Sequence, residues 1–119
     1  MNYCGTIFMD YESEDEEAHY RADVKRAVLD GGSLVLEFSG SAPDEGKYKG
    51  ECRLRREGGV FEGTGEFRAA NIKLLKARVR LNIDEETSDS LTLKGTWLDD
   101  GDKESYQVEI ELASRRPAS

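Results

Sequence analysis

YKGECRLRREGGVFEGTGEF, residues 48–67, reads as two alternating runs folded about Glu57-Gly58-Gly59. Closed as a β-hairpin with Arg55 opposite Val60, it pairs Leu54 with Phe61, Cys52 with Gly63, Gly50 with Gly65 and Tyr48 with Phe67 on one face. On the other face Arg53 meets Glu62 and Lys49 meets Glu66, so opposite charges stand directly across from one another. Both faces agree on this register, and a one-residue slip would turn the apolar set of one strand toward water. The apolar face holds Gly50, Cys52, Gly63 and Gly65 at its middle, bracketed by Tyr48, Leu54, Phe61 and Phe67. It is a shallow floor with a tall rim.

The neighbouring segments alternate in the same way. SLVLEFSG (33–40) places Leu34, Leu36 and Phe38 on one face, and Pro43, Asp44 and Gly46 supply the turn into the central hairpin. After the hairpin, IKLLKARVRLNI faces Leu75, Ala77, Val79, Leu81 and Ile83 inward, and the polar loop 84–90 leads to SLTLKGTWL with Leu91, Leu93, Gly95 and Trp97 inward. YQVEIEL adds Tyr106, Val108, Ile110 and Leu112. In the last hairpin Trp97 opposes Tyr106, Gly95 opposes Val108, Leu93 opposes Ile110, and Lys94 meets Glu109 outside. In the hairpin before it, Ile83 opposite Leu91 sets Ala77 beside Trp97 and leaves Arg80 facing Lys94.

The N-terminal quarter is less decided. YCGTIFM (3–9) reads as a strand with apolar residues in both parities. Residues 18–29 fit a helix with a Ser13/Glu16 capping box and one face of Tyr20, Val24, Ala27 and Val28. They also fit a strand in which Ala18, Tyr20, Ala22 and Val24 alternate, a bulge near Lys25 and Arg26 switches the parity, and Asp30-Gly31-Gly32-Ser33 turns into the next strand. The strand agrees with its neighbours, which are consecutive hairpins.

The expected fold is therefore all-β: an antiparallel up-and-down meander of about eight strands closing into a small barrel, since none of the connections is long enough for a parallel crossover. The alternative is an α+β fold, a curved antiparallel sheet with one helix at about residues 14–29. The 119 residues make one domain, with a frayed tail at 114–119. Hairpin following hairpin, with glycines and aromatics inside, resembles the general pattern of calycin-type ligand-binding barrels. The Gly95-Thr96-Trp97 step lies near the C-terminus, however, and lipocalins carry their Gly-x-Trp in the first strand, so no family is assigned.

The composition is 37% hydrophobic and 35% charged, which suits a small soluble domain with a heavily solvated exterior. A net charge of −8 disfavours nucleic acid as a partner. No apolar run approaches the roughly 20 residues of a membrane helix. Residues 1–17 have no basic region followed by an apolar block, so the expected location is cytoplasmic. Cys4 and Cys52 form no CxxC pair, and Cys52, on the core face, reads as structural.

No catalytic constellation is present: His19 is the only histidine, and no serine sits in a GxSxG elbow. The Asp99-Asp100-Gly101-Asp102 turn is explained by its turn chemistry, and no metal or cofactor is expected. Lys47, Lys49, Arg53, Arg55, Lys76, Arg78 and Arg80 gather on the outer face with Glu51, Glu62 and Glu66 among them, which reads as a salt-bridged exterior. The expected function is non-enzymatic binding of a small hydrophobic molecule inside the barrel, on the floor of Gly50, Gly63 and Gly65, ringed by Tyr48, Phe61, Phe67, Trp97 and Tyr106. Those same aromatics are also the side chains expected to fill the space above the glycines. The alternative is a filled barrel that binds or inhibits a basic protein through the acidic stretch containing Glu12, Glu14, Asp15, Glu16 and Glu17.

Overall fold

The computed structural model describes residues 1–12, 17–42, 46–69 and 72–114. These residues form eight antiparallel strands: β1 (Asn2–Glu12), β2 (Glu17–Asp30), β3 (Ser33–Ala42), β4 (Gly46–Glu57), β5 (Val60–Ala69), β6 (Ile72–Glu86), β7 (Ser90–Asp99) and β8 (Tyr106–Ser114). Each strand pairs with the next, and β8 returns to β1, from Tyr3 opposite Ser114 to Asp10 opposite Gln107. Closure gives every strand a neighbour on both sides, and β2 and β3 part only beyond Asp23 and Ser39. The described residues contain no helix long and apolar enough to cross a membrane. Of the expected tail, Ser114 ends β8 and residues 115–119 lie outside the described residues.

The helix alternative at residues 14–29 is overturned, because residues 17–30 are strand throughout, paired with β1 from Glu17 to Val28 and with β3 from Asp23 to Asp30. The expected parity switch is a β-bulge. Register against β3 shifts between Val24 and Arg26, and two exposed residues, Lys25 and Arg26, separate buried Val24 from buried Ala27. The extra residue returns Ala27 to the inner face. Gly31 and Gly32 then turn the chain with φ of 57° and 85°, the left-handed pair that a tight hairpin matching the strand twist requires.

Two registers differ from expectation, each by two residues. In the central hairpin Glu57 opposes Val60 across Gly58-Gly59, so Leu54 opposes Gly63, Cys52 opposes Gly65, Gly50 opposes Phe67 and Tyr48 opposes Ala69. The two-residue turn extends the ladder by one more pair than the longer loop would, and an even shift leaves every side chain on its own face. The charges are what change. Lys49 now faces Arg68, Glu51 faces Glu66 and Arg53 faces Thr64. Arg53 pairs instead along its own strand with Glu51 at 2.9 Å, and Glu62 pairs with Arg80 on β6 at 3.2 Å.

Between β6 and β7, Ile83 opposes Leu93 and Val79 opposes Trp97, with a bulge between Ile83 and Glu85. Strand β6 continues through Glu86, and the turn shrinks to Thr87–Asp89, where the Thr87 hydroxyl accepts from the Ser90 amide at 2.9 Å. Arg80 faces Thr96 rather than Lys94, and Lys94 lies 3.6 Å from both Asp84 and Glu109. The β7–β8 register is as expected, from Trp97 opposite Tyr106 to Leu93 opposite Ile110.

Connections alternate between the two ends of the barrel. At the end carrying the 31–32 and 58–59 turns, Phe61 is fully buried and the Arg56 guanidinium covers its ring at 5.8 Å. Glu86 holds that guanidinium with two bonds of 2.9 and 3.2 Å, and the Arg56 hydrogen bonds keep the Glu86 carboxyl below the usual carboxylate range. Cys52 is buried in the wall, where desolvation pushes its thiol up, out of reactive range, while Cys4 is exposed; both are free thiols.

Candidate functional site at the barrel mouth

The opposite end gathers aromatic rings from five strands. Tyr20 of β2 packs against Tyr48 (5.8 Å between centroids), Phe67 (6.2 Å) and Tyr106 (6.0 Å); Tyr48 meets Phe67 at 5.2 Å, and Tyr11 of β1 meets Tyr106 at 5.2 Å. All are tilted or edge-on, as ring quadrupoles favour. Inside this circle lies a recess of about 70 Å³ lined by Met9, Tyr20, Phe67, Leu75, Trp97, Asp99 and Tyr106. That is far below the ~300–1,000 Å³ of a drug-sized pocket.

The floor beneath is covered. Gly50 stands opposite Phe38, whose ring occupies the position of the missing side chain: a Cβ on Gly50 would lie 2.2 Å from Phe38 Cζ. Trp97 does the same over Gly65, with Cη2 2.5 Å from a Cβ there, and Phe38 and Trp97 meet edge to face at 6.1 Å. Gly63 answers to a different need. Its Cβ would lie 2.0 Å from the Arg53 carbonyl oxygen, so it permits close approach of neighbouring backbone.

The eight residues expected to share one ligand site therefore separate. Phe67, Trp97 and Tyr106 line the recess, and Tyr48 stands beside it. Gly50 and Gly65 lie under rings, and Gly63 lies against backbone. Phe61 belongs to the other end, six residues or about 20 Å of strand from Phe67. An open glycine floor does not form: Trp97, one of the aromatics expected to ring it, lies over Gly65, while Phe38, which was not among them, lies over Gly50. Tyr11, Tyr20, Met9 and Asp99 were missed as lining or rim residues. Tyr20 was visible in the alternation of residues 18–24, but its place depended on residues 17–30 being strand.

Asp99 makes the recess polar on one side. Its carboxylate accepts from Trp97 Nε1 at 2.8 Å and is about half buried. Desolvation raises its pKa above the usual carboxylate value, the indole hydrogen bond works the other way, and Asp102 and Asp100 add to the rise. A carboxyl with a raised folded-state pKa withdraws stability when ionised. That stability returns as pH falls through the window between the unfolded and folded values. Such a cost at a mouth is a common mark of a binding site.

Acidic residues stand on the β7, β8, β1 and β2 side of the mouth. Glu104 accepts from the Tyr11 hydroxyl at 2.9 Å, Asp100 and Asp102 follow Asp99, and Glu12 and Glu17 face each other at the ends of β1 and β2. Glu14, Asp15 and Glu16 lie outside the described residues. His19 sits outside between Asp10 (2.7 Å) and Glu17 (2.6 Å), and its hydrogen bonds to Asp10 first and Glu17 second raise its pKa. Its contribution to stability is therefore present at low pH and lost as pH rises through the raised value. The ring C–H resonance of this single histidine should titrate with a midpoint above the ordinary value of about 6.5, and Asp10→Asn should lower it. A midpoint unmoved by that substitution would show that the bridge does not persist in solution. Among the described residues no group of three or more His, Cys, Asp or Glu could hold a metal ion.

No protein-family model matches the chain, and no curated protein matches it. Among solved structures it is similar to a redesigned β-barrel, with a TM-score of 0.55 and 11% identity over 97% of this chain and 90% of that one. At that identity the likeness speaks to the barrel fold alone.

Proposed function

We propose that the protein is a non-enzymatic binding module whose mouth takes a compact organic cation, an alkylammonium head group. The observation that carries this reading is the enclosure of the half-buried Asp99 carboxylate by Tyr20, Phe67, Trp97 and Tyr106 around one small recess. Aromatic faces attract a weakly hydrated cation, and a carboxylate already stripped of part of its water gains a partner without further desolvation. The acidic residues on the β7, β8, β1 and β2 side of the opening attract cations to it. With Phe38 and Trp97 over the glycines, the recess suits a head group rather than a whole apolar molecule.

The head group can be free or can be the tip of a lysine on a basic partner, which joins the ligand-binding and acidic-surface readings in one chemistry. Choline, its neutral carbon isostere 3,3-dimethylbutan-1-ol and a trimethyllysine peptide separate the cases, with the fluorescence of Trp97, the only tryptophan, as reporter. The expected result is a saturable response to choline or the peptide and a response at least about tenfold weaker to the neutral isostere. Asp99→Asn should weaken binding, and affinity should fall as pH drops through the raised Asp99 pKa, because protonation removes the attracting charge. Equal responses to choline and its neutral isostere would refute the proposal.

A further inference from the structure

One wall of this acidic barrel carries a basic groove. The β2–β3 ladder runs from Asp30 opposite Ser33 only to Asp23 opposite Ser39. Beyond that point the Tyr48 hydroxyl, passing where a Gly40 side chain would stand, donates to the Arg21 carbonyl oxygen at 2.9 Å. Here lies an open groove of about 830 Å³ whose charged residues are Arg21, Lys25, Lys47, Lys49 and Arg68 against Asp23 alone.

None of those five cations forms an ion pair with a described residue, as is also true of Arg26, Arg55, Lys76, Arg78 and Lys103. The Arg21 guanidinium stands over the Phe8 ring at 5.7 Å. What sets the five apart is that they gather in one groove. Lys49 stands directly opposite Arg68, a juxtaposition that repels. The two-residue shift of the central hairpin creates it, since the other register would pair Lys49 with Glu66. Ser39 and Ser41 oppose Lys49 and Lys47 and bring hydroxyl donors to the same place. The groove runs on into a hollow of about 440 Å³, where Glu37, Glu51 and Glu66 end its positive character.

We infer that this groove binds a compact polyanion, a small molecule carrying two or more phosphate groups. Phosphate oxygens would pair with cations that now repel one another and accept from the serine hydroxyls. The carboxylates at one end and the net charge of −8 work against a long polyanion that runs past the groove.

Inorganic tripolyphosphate titrated into the full chain tests this, read by calorimetry and backbone amide NMR. The expected result is one saturable event with shifts concentrated at Arg21–Lys25, Ser39–Ser41, Lys47–Lys49 and Arg68, weaker at higher salt, with orthophosphate binding less tightly. The double variant Lys49→Gln/Arg68→Gln alters exposed side chains and should keep its circular dichroism while losing about tenfold or more in affinity. Lys76→Gln/Arg78→Gln removes the same charge from the neighbouring strand and should change affinity less than about twofold. Absence of saturation or equal losses in the two double variants would overturn the inference. So would tighter binding of an oligonucleotide of matched charge, which would favour nucleic acid instead.

Discussion

Gly95→Ala should destabilise the barrel by about 3 kcal/mol or more, a large share of the ~5–15 kcal/mol typical of a domain. A Cβ at this position would lie 1.9 Å from the Arg80 carbonyl oxygen and 2.8 Å from Leu81 Cα. Both are backbone atoms of the neighbouring strand, so no rotamer change relieves the overlap and the β6–β7 ladder itself must move. Gly63→Ala should behave similarly, against the Arg53 carbonyl oxygen at 2.0 Å. Gly59→Ala is the matched control: a Cβ there meets nothing within 4 Å and its φ is not positive, so the change should stay within about 0.5 kcal/mol. Equilibrium urea unfolding followed by circular dichroism decides the matter. A Gly95→Ala protein within about 1 kcal/mol of the parent would mean that the close approach of β6 and β7 is dispensable.

Trp97→Ala should cost about 3–5 kcal/mol. The indole is 1% exposed, covers Gly65, meets the Phe38 ring and donates its N–H to Asp99, so its removal opens a void and strips a half-buried carboxylate of its donor. The pairing with Gly65 can be isolated by a double-mutant cycle. Gly65→Ala drives a Cβ to within 2.5 Å of the indole in the parent, but in a Trp97→Ala background the ring is gone. The second substitution should then cost less by about 1–2 kcal/mol, or improve stability by partly refilling the void. Circular dichroism must be the probe, since Trp97 is the only tryptophan. Additive costs would mean that ring and glycine are not coupled.

The two misplaced registers and the covered floor share a cause. Alternation tells which face a residue occupies, and that face is preserved under any even slide. Leu54 and Phe61 are inward in either register, and both are buried. Opposed charges pointed to the wrong one, because exposed pairs such as Arg53 with Glu62 contribute only fractions of a kcal/mol. The compact Gly58-Gly59 turn and the extra ladder pair outweigh that. Where turn and pattern agree, as from Trp97 opposite Tyr106 to Leu93 opposite Ile110, the pairing could be read directly. The bulge at Lys25 and Arg26 was legible for the same reason: Val24 and Ala27 can both face inward only if the parity breaks between them.

The candidate site was legible in composition but not in assembly. Phe67, Trp97 and Tyr106 were expected to converge, and they do. Their neighbours Tyr20, Met9 and Asp99 come from strands whose relative heights depend on how far the sheet staggers as it closes. The row of inward glycines was plain from the first reading of residues 48–67. That Phe38 lies on Gly50, Trp97 on Gly65 and neighbouring backbone on Gly63 was not, because those contacts are set by register and closure.

By itself, then, the sequence determined an antiparallel meander of hairpins, the inner face of nearly every strand and the place of a bulge, since period-two alternation and turn residues act locally. The tertiary structure alone decided the closure of β8 onto β1, the two registers, the filling of the glycine floor, the aromatic mouth with its acidic side and the cations gathered on the wall without an ion pair to any described residue. Each of these depends on which residues meet across strands far apart in the chain, and a two-residue slide changes those meetings while leaving every local pattern intact.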